Sequence, residues 1–410
     1  MTQLNTQWIR QQFPGLSSGF AFFDNAGGTQ VARQVGEHIS DYLYHTNVQL
    51  GASYPISQQS GTRVDEAQSL WAQAINAKRT EEVVLGSSTT ALVQNLARSY
   101  RQLLKPGDEV IVTNMDHEAN IGPWMEMEKS GIVVKVWEVN PLTFELDLEA
   151  LDLLMTPQTR LVAFTHVSNI LGTINPVKEI TKFVHDRKAL VFVDGVAYAP
   201  HRAIDVQDWE VDFYVCSLYK VYGPHYSLLF GKYHLLENLP GINHYFIEKN
   251  DIPYKLQPGN VNYELTYGSS GIISYFKELY NQHFTDDGLG LHEQLKKVFS
   301  LIAHHEASLA QPLIDWVNSR DNLRMIGAST ADKLVRVPTI SFVVENRKSS
   351  EIPLLVDPHQ MGIRWGDFYA KRLIEALQLN KKDGVVRVSL VHYNTLEEVS
   401  RLVEVVDKLV

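Results

Sequence analysis

The chain has 410 residues, of which 44% are hydrophobic and 20% charged, a balance typical of soluble globular proteins rather than of disordered chains. A formal net charge of −10 disfavours a broad nucleic-acid surface, and the single cysteine, Cys216, excludes an intrachain disulfide and a multi-cysteine zinc site. With no run of 18 apolar residues and no signal peptide at the start, we expect a cytoplasmic protein whose ligands are small molecules.

Seven short apolar runs, most of them followed by a stretch with helical periodicity, predict an α/β fold. Their β-branched and aromatic content suits strands that are buried on both faces, as in a mostly parallel sheet covered by helices. The runs occupy residues 83–85, 110–112, 133–136, 161–164, 190–193, 213–215 and 228–230.

The pattern changes after about residue 265. Long amphipathic stretches, for example around 290–316, precede two strand-like segments at 339–344 and 385–390. We therefore predict a large domain at 21–265 and a smaller α+β C-terminal domain at 266–410, joined by the N-terminal segment 1–20.

The residues that follow the predicted strands are the first candidates for a site, because ligands of open parallel sheets bind beyond the carboxyl ends of the strands. The segment Gly86–Thr90 lies between a strand and a predicted helix, so its hydroxyls and free N–H groups suit a phosphate. Taken alone, this segment is as typical of a helix N-cap without a ligand. The glycine motifs of dinucleotide-binding and P-loop proteins do not occur.

Two charged residues stand at the ends of apolar runs. Asp194 follows the run 190–193, where a carboxylate needs a cationic partner such as a pyridinium N–H; a structural ion pair is the alternative. Lys220 follows the next run, and a lone lysine at a strand end is ordinarily a surface residue. Neither residue identifies a function by itself.

Taken together, the ordered segments resemble the class V aminotransferase family of fold-type I pyridoxal-phosphate enzymes, particularly its cysteine desulfurase branch. The resemblance covers nearly the whole chain and implies pyridoxal 5′-phosphate as the cofactor. It also implies a large domain with a seven-stranded, mostly parallel sheet and a smaller α+β domain. The segments that carry the resemblance are Phe23–Gly28, Met115–Ile121, His166–Gly172, Val193–Gly195 and Ser217–Pro224.

The resemblance also implies roles for individual residues. Lys220 matches the lysine that forms a Schiff base with the cofactor and later moves the α-proton, and Asp194 matches the partner of the pyridine nitrogen. His117 matches the residue that stacks on the cofactor ring and Asn169 the one that bonds its phenolic oxygen; an ordinary cap and turn is the alternative for both. The residues that match phosphate-binding positions are Ser88, Thr89, Thr90, Ser217 and Tyr219.

Substrate and partner contacts are implied in the same way. Arg387 matches the arginine that forks onto the substrate carboxylate, and we expect Arg364 and Asn25 to bind substrate as well. Asn260 lies in a segment that resembles the one reaching the phosphate of the other subunit, which predicts a homodimer. We expect no metal, since the sequence has no zinc-binding histidine motif, and no nucleic-acid or membrane partner.

Two departures from the family pattern limit the predicted reaction. A persulfide-forming desulfurase needs a nucleophilic loop cysteine after an Arg-Thr-Gly element, but here Arg364–Gly366 leads to Tyr369 at the thiol position. Cys216 ends a predicted strand and is expected to be a packed apolar residue. The second departure is Ala197, which stands where many relatives have a Gln that supports the phenolic oxygen; Tyr198 is a candidate replacement.

These features predict an enzyme that acts on an amino acid through an external aldimine. We expect a cysteine desulfurase-like C–S or other β-elimination lyase rather than a persulfide-forming desulfurase. An aminotransferase or an isopenicillin N epimerase-like enzyme stays open, because fold and lysine do not choose among reactions of one cofactor. A non-catalytic protein that keeps the fold is the alternative outside this class.

Overall fold

The computed structural model describes residues 3–286, 288–408 and 410. Residues 1 and 2 of the predicted N-terminal segment, and residues 287 and 409 of the predicted small domain, lie outside the described residues. All seven apolar runs form strands of one sheet.

Helices and strands alternate between residues 83 and 194, and the two longest helices lie in the second half of the chain. The α-helices are α1 (Thr6–Gln11), α2 (Arg33–His45), α3 (Pro55–Ala74), α4 (Thr89–Tyr100), α5 (Gly122–Met125), α6 (Leu148–Leu154), α7 (Val177–Asp186), α8 (Tyr233–Asn238), α9 (Tyr263–His283), α10 (Leu291–Asn318), α11 (Glu351–Val356), α12 (Lys371–Ala376) and α13 (Leu396–Asp407).

The strands belong to three sheets. They are β1 (Ala21–Phe22), β2 (Val83–Gly86), β3 (Glu109–Thr113), β4 (Val133–Trp137), β5 (Thr159–Thr165), β6 (Leu190–Asp194), β7 (Phe213–Ser217), β8 (Ser227–Gly231), β9 (Leu323–Ile326), β10 (Thr339–Val344), β11 (Met361–Gly362), β12 (Arg364–Gly366) and β13 (Val385–Ser389).

The large sheet has seven strands in the order β2-β8-β7-β6-β5-β3-β4. Within it, β8 runs antiparallel to both of its neighbours, and the pairs from β7 to β4 are parallel. This sheet confirms the predicted fold class, a mostly parallel α/β sheet of the fold-type I kind.

Alternating side chains of each central strand enter two different cores. In β6, Val191 and Val193 pack in one apolar cluster with α7 and α9, whereas Phe192 packs in another with α4. Since both faces are covered by helices, nearly every position of the central strands is apolar. Burial on both faces explains why apolar residues occupy successive positions of these strands rather than alternate with polar ones.

The second half of the chain builds a four-stranded antiparallel sheet in the order β12-β13-β10-β9, and β1 pairs with β11 in a parallel two-stranded sheet. The apolar core that the four-stranded sheet forms with its covering helices includes Leu313, Phe342 and Val388. The predicted strands at 339–344 and 385–390 form β10 and β13. Because α9 runs through residue 265, the predicted domain boundary falls inside a helix, and the division at that residue stays a prediction.

The small sheet meets the carboxyl edge of the large sheet near the end of β13. The N–H of Ser389 donates to the carbonyl of Phe23, and Asp24 forms a parallel bridge with Ser389. These contacts bring Arg387, in the middle of β13, to the ends of the large-sheet strands.

Candidate active site

One pocket collects the residues that follow the strands of the large sheet. Lys220 comes from the turn after β7, Asp194 from the end of β6, and His117 from the turn after β3. Asn169 follows β5. The pocket is lined by Ser88, Thr89, Thr90, His117, Ala119, Thr165, Val167, Asn169, Asp194, Val196, Ala197, Ser217, Tyr219 and Lys220.

Lys220 is buried, with 8% of its surface exposed. Burial, helped by the positive charge of Arg387, lowers the pKa of its amine to about 8, although Asp194 and Asp24 oppose the shift. Near neutral pH about a tenth of the amine is therefore unprotonated, far more than for an ordinary lysine. An unprotonated, buried amine can act as a nucleophile and as a base.

Asp194 is buried as well, and burial raises the pKa of its carboxyl group to about 6, against the opposing effects of the Val196 N–H and Lys220. Its Oδ1 accepts a hydrogen bond of 2.9 Å from the backbone N–H of Val196. This single bond compensates a buried carboxylate only partly. A cationic ligand group in the pocket would stabilise its ionised form.

His117 contributes a neutral ring. Burial, together with the charges of Lys220 and Arg387, lowers the pKa of its imidazole to about 4. Its Nδ1 accepts a hydrogen bond of 3.0 Å from the N–H of Ala119, which assigns the ring proton to Nε2. The ring is thus held in one tautomer and one orientation at the wall of the pocket.

Hydroxyl groups gather where β2 leads into α4. Ser88 caps the helix by accepting a hydrogen bond from the N–H of Ala91, and Thr89 Oγ1 lies 2.7 Å from Ser217 Oγ. Thr89 Oγ1 also donates to Ser227 Oγ at 3.3 Å. Hydroxyls at the N-terminus of a helix of this length can bind an anion, and the phosphate site predicted from the sequence stays a prediction.

Asn169 and Arg387 each keep one buried polar atom without a partner among the described residues. Asn169 Nδ2 donates to the carbonyl of Phe368 at 2.9 Å, but its Oδ1 is unpartnered. Arg387 Nη1 donates to the carbonyl of Asn169 at 3.1 Å and Nη2 to Asp24 Oδ1 at 2.8 Å, while Nε is unpartnered. Buried polar atoms are ordinarily paired, so these two atoms indicate a ligand.

The segment 366–372 lies beside the pocket, where the carbonyl of Phe368 accepts a hydrogen bond from Asn169. The N–H of Glu118 donates to the carbonyl of Tyr369 at 2.8 Å, and Arg372 forms a forked ion pair with the Glu118 carboxylate at 3.0 and 3.1 Å. Phe368 and Tyr369 both have positive φ angles, 49° and 60°, which residues other than glycine rarely adopt. The Tyr369 ring lies 5.3 Å from the His117 ring and is largely exposed.

Four predicted residues do not line the pocket: Asn25, Arg364, Asn260 and Arg387, the last of which is close enough to lower the pKa of Lys220. Asn25 has partners for its amide within the chain, since Nδ2 donates to the carbonyls of Phe22 and Ser389 and Oδ1 accepts from Tyr393. Arg364 is half exposed and lies 3.7 Å from Asp24. Asn260 lies in a neighbouring groove.

Two residues discussed as departures also lie away from the chemistry. The Tyr198 ring stacks on His166 at 3.6 Å and does not line the pocket, so it offers no substitute for the glutamine that Ala197 replaces. Cys216 is buried, and burial raises the pKa of its thiol to about 12. The thiol is therefore neutral and inaccessible, as expected from the sequence.

Asp116 was missed by the sequence interpretation although it directly precedes His117. Its carboxyl group is fully buried and accepts hydrogen bonds from the Thr113 hydroxyl, from Asn120 Nδ2 at 2.6 Å and from the Thr165 N–H at 3.1 Å. Burial raises its pKa to about 8 despite these bonds. It ties the ends of β3 and β5 together and thereby positions the turn that carries His117.

Among the described residues, no group of three or more His, Cys, Asp or Glu side chains is arranged to hold a metal ion. Within the same part of the chain, no helix is both long and apolar enough to cross a membrane.

Comparison with known proteins gives a consistent result. The sequence model of the family described as Aminotransferase class-V matches residues 21–302 and 295–402. The chain is 44% identical over 403 residues to "Aminotransferase-like protein FGM3" of Gibberella zeae, covering 96% of each chain. It is 32% identical over 418 residues to "Cysteine desulfurase-like protein ustD" of Aspergillus flavus, covering 99% of this chain and 91% of the relative.

A solved structure is similar over the same length. The cysteine desulfurase CsdA of Escherichia coli superposes with a TM-score of 0.83 at 25% identity, covering 98% of each chain.

Proposed function

The chain belongs to the Aminotransferase class-V family, and on that premise we propose that it is a lyase that eliminates a β-substituent from an amino acid. It is an enzyme that uses pyridoxal 5′-phosphate. The observation that carries the choice of a lyase is Tyr369, which stands where a persulfide-forming desulfurase needs a cysteine.

The pocket suits this cofactor. Its hydroxyl cluster at the start of α4 would hold the phosphate, Asp194 would pair with the pyridine N–H, and Lys220 would hold the cofactor covalently through Nζ. When bound, pyridoxal 5′-phosphate withdraws electrons from the α-carbon of an attached amino acid and weakens the bonds there. The unpartnered Asn169 Oδ1 is an acceptor, so a bond to the phenolic oxygen would need the proton on that oxygen.

The chain's own groups would then do three things. Once the amine of the substrate has replaced it on the cofactor, the free Lys220 Nζ would take the α-proton of the substrate. Arg387 binds the substrate carboxylate and so orients the α-carbon toward Lys220. His117, held neutral at the wall of the pocket, would lie against the cofactor ring.

The departing group would leave without being captured by the protein. The pocket opens toward a groove lined by Thr90, His117, Tyr219 and Tyr369, whereas Cys216 is buried within β7 and does not line the pocket. Because the only thiol is inaccessible, we expect sulfur or another leaving group to enter solvent directly.

We also propose that the enzyme is a homodimer. Asn260 is exposed and lies beside Ser87 and Gln257 in a groove next to the pocket rather than inside it. Gln257 Nε2 anchors this segment by donating to the carbonyl of Leu85 at 3.1 Å. A contact of Asn260 with a phosphate would therefore involve a second copy of the chain, which sedimentation of the holoenzyme can test.

An aminotransferase is the second candidate, since the relative that is 44% identical is named aminotransferase-like. The relative that is 32% identical is instead named cysteine desulfurase-like. The names of these two relatives point to different reactions. The products formed by this chain are therefore needed to decide between the two candidates.

A product assay decides between them. Purified protein loaded with pyridoxal 5′-phosphate is given L-cysteine or β-chloro-L-alanine, and pyruvate, ammonia, alanine and the mass of the protein are measured. We expect pyruvate and ammonia in equal amounts, with no sulfur added to the protein, and no product from Lys220→Ala. Keto-acid-dependent amino transfer without pyruvate would favour the second candidate, and a persulfide on the protein would contradict both.

A further inference from the structure

Asp24 lies between two arginines, and both Asp24 and Arg387 are close enough to Lys220 to influence its pKa. Its Oδ1 is 2.8 Å from Arg387 Nη2 and its Oδ2 is 3.7 Å from Arg364 Nη1. The Arg387 side chain is 2% exposed, whereas the Arg364 side chain is 55% exposed. One carboxylate of the protein thus serves a buried and an exposed guanidinium group.

The donors of Arg387 show what this carboxylate blocks. A carboxylate binds arginine best through two parallel N–H bonds, and Nε together with Nη2 forms one such edge of the guanidinium plane. Nε is buried and unpartnered, and Nη2 is held by Asp24. Nη1 is engaged with the carbonyl of Asn169, and Phe368 covers a face of the plane at 3.6 Å. On the Nε–Nη2 edge, Nε is therefore free, whereas Nη2 is occupied by Asp24.

We propose that Asp24 determines substrate specificity by occupying Arg387 until the substrate carboxylate displaces it. This rests on the proposed function, in which Arg387 binds that carboxylate. Asp24 prevents an unpaired guanidinium from being buried while the pocket is empty, because an unpaired buried charge is costly. When the substrate takes the Nε–Nη2 edge, Asp24 turns to Arg364, whose exposed side chain can move toward it.

The count of charges then sets the class of substrate. The two guanidinium groups carry two positive charges, which match the carboxylate of Asp24 and one carboxylate of the substrate. An amino acid with a neutral side chain therefore leaves no charge of this cluster unpaired. A second carboxylate on the substrate would lie near Asp24 with neither of the two arginines left to pair with it. Like charges at close range disfavour binding. Asp24 therefore selects monocarboxylate amino acids over dicarboxylate ones.

Calorimetric binding to the holoenzyme tests this inference with two ligands that lack an amino group and have four carbons each, butanoate and succinate. We expect wild-type enzyme to bind butanoate more tightly than succinate. Asp24→Asn should tighten butanoate about tenfold and succinate by more, because the resident competitor is gone. Arg364→Gln should weaken butanoate about threefold, since Asp24 loses its second partner. Asp152→Asn, which removes a carboxylate from an exposed ion pair with Arg187, is the control and should change neither affinity.

Butanoate affinity that is unchanged, weaker or absent in Asp24→Asn would overturn the inference. If Asp24→Asn does not fold, as judged by its melting temperature, Arg364→Gln decides, and unchanged or tighter butanoate binding in that variant overturns it too. The visible absorbance of the lysine-bound cofactor separates the two proposals. A wild-type protein that never acquires it refutes the proposed function, whereas coloured enzyme with insensitive carboxylate affinity refutes the role of Asp24 alone.

Discussion

The large sheet and the small sheet contribute different kinds of residues to the pocket. At the carboxyl edge of the large sheet, Lys220, Asp194 and His117 all have pKa values shifted chiefly by burial. On the side of the small sheet, burial also lowers the pKa of Arg387, but a guanidinium group stays charged and is held by an ion pair with Asp24. The segment 366–372 is held by hydrogen bonds to Glu118 and Asn169. We infer that the large sheet sets the protonation states needed for chemistry and that the small sheet sets which ligand is admitted.

The largest expected effect comes from the large sheet. Lys220→Ala removes the only amine that lines the pocket among the described residues, so covalent cofactor attachment should disappear and turnover should fall by about 10³-fold or more. Absorbance before and after borohydride, together with pyruvate release, measures both. Lys178→Ala, at an exposed lysine paired with Asp208, is the matched control and should behave as wild type. Retained attachment in Lys220→Ala would place the cofactor elsewhere.

A change in the small sheet should affect binding instead. Arg387→Lys keeps the charge but cannot make the forked bond, so kcat/KM should fall roughly 10²-fold, mainly through a higher KM. Cofactor attachment should persist, because Lys220 and the hydroxyl cluster are untouched. Steady-state kinetics with the substrate identified in the product assay measure the split. A fall in kcat at constant KM would show that the two sheets do not divide the work in this way.

The pH dependence of cofactor attachment connects the two regions. Only the unprotonated Lys220 amine can attack, so attachment to the cofactor-free protein should accelerate with rising pH and level off above about 8. Arg387→Met removes a positive charge that lowers this pKa, and the midpoint should move up by roughly half a pH unit. Asp194→Asn should move the midpoint down, because the Asp194 carboxylate raises the pKa of the Lys220 amine. Stopped-flow absorbance gives the midpoints; a downward shift in Arg387→Met would contradict the assignment.

The smallest effect is expected at the contact between the sheets. Glu118→Gln weakens the fork with Arg372, whose side chain is 37% exposed, so its contribution to stability should stay below about 1 kcal/mol. Amide hydrogen exchange should accelerate in residues 366–372 and nowhere near Lys220. Glu126→Gln, at an exposed pair with Lys129, should leave that segment unchanged. Unaltered exchange at 366–372 in Glu118→Gln would mean that the hydrogen bonds accepted by the Phe368 and Tyr369 carbonyls hold the segment without the fork.

The fold was predictable where burial marks the sequence. Strands covered on both faces need continuous apolar runs, and all seven runs became strands of the large sheet. The short strands β11 and β12 carry no such mark, since β12 consists of Arg364, Trp365 and Gly366 and is largely exposed. The antiparallel direction of β8 was not predicted, because apolar content does not encode direction.

The candidate site was predictable from the rule that ligands bind beyond the ends of parallel strands. That rule, with the resemblance, selected nine of the residues that line one pocket, although Asn25, Asn260, Arg364 and Arg387 do not line it and all the roles stay proposals. The pair of Asp24 with Arg387 was not foreseen, because its partners are 363 residues apart and meet only when β13 reaches the large sheet. Asp116 was overlooked because an acidic residue at a strand end looks like an ordinary cap.

The burial of Cys216 has a practical use. Since the chain contains one cysteine and its thiol is inaccessible with a pKa of about 12, the folded surface should be inert to maleimide reagents. A cysteine introduced in place of the exposed Tyr369 would then be the single labelling position of the protein. A fluorophore attached there would report directly on the position of the segment 366–372, without any native cysteine having to be removed first.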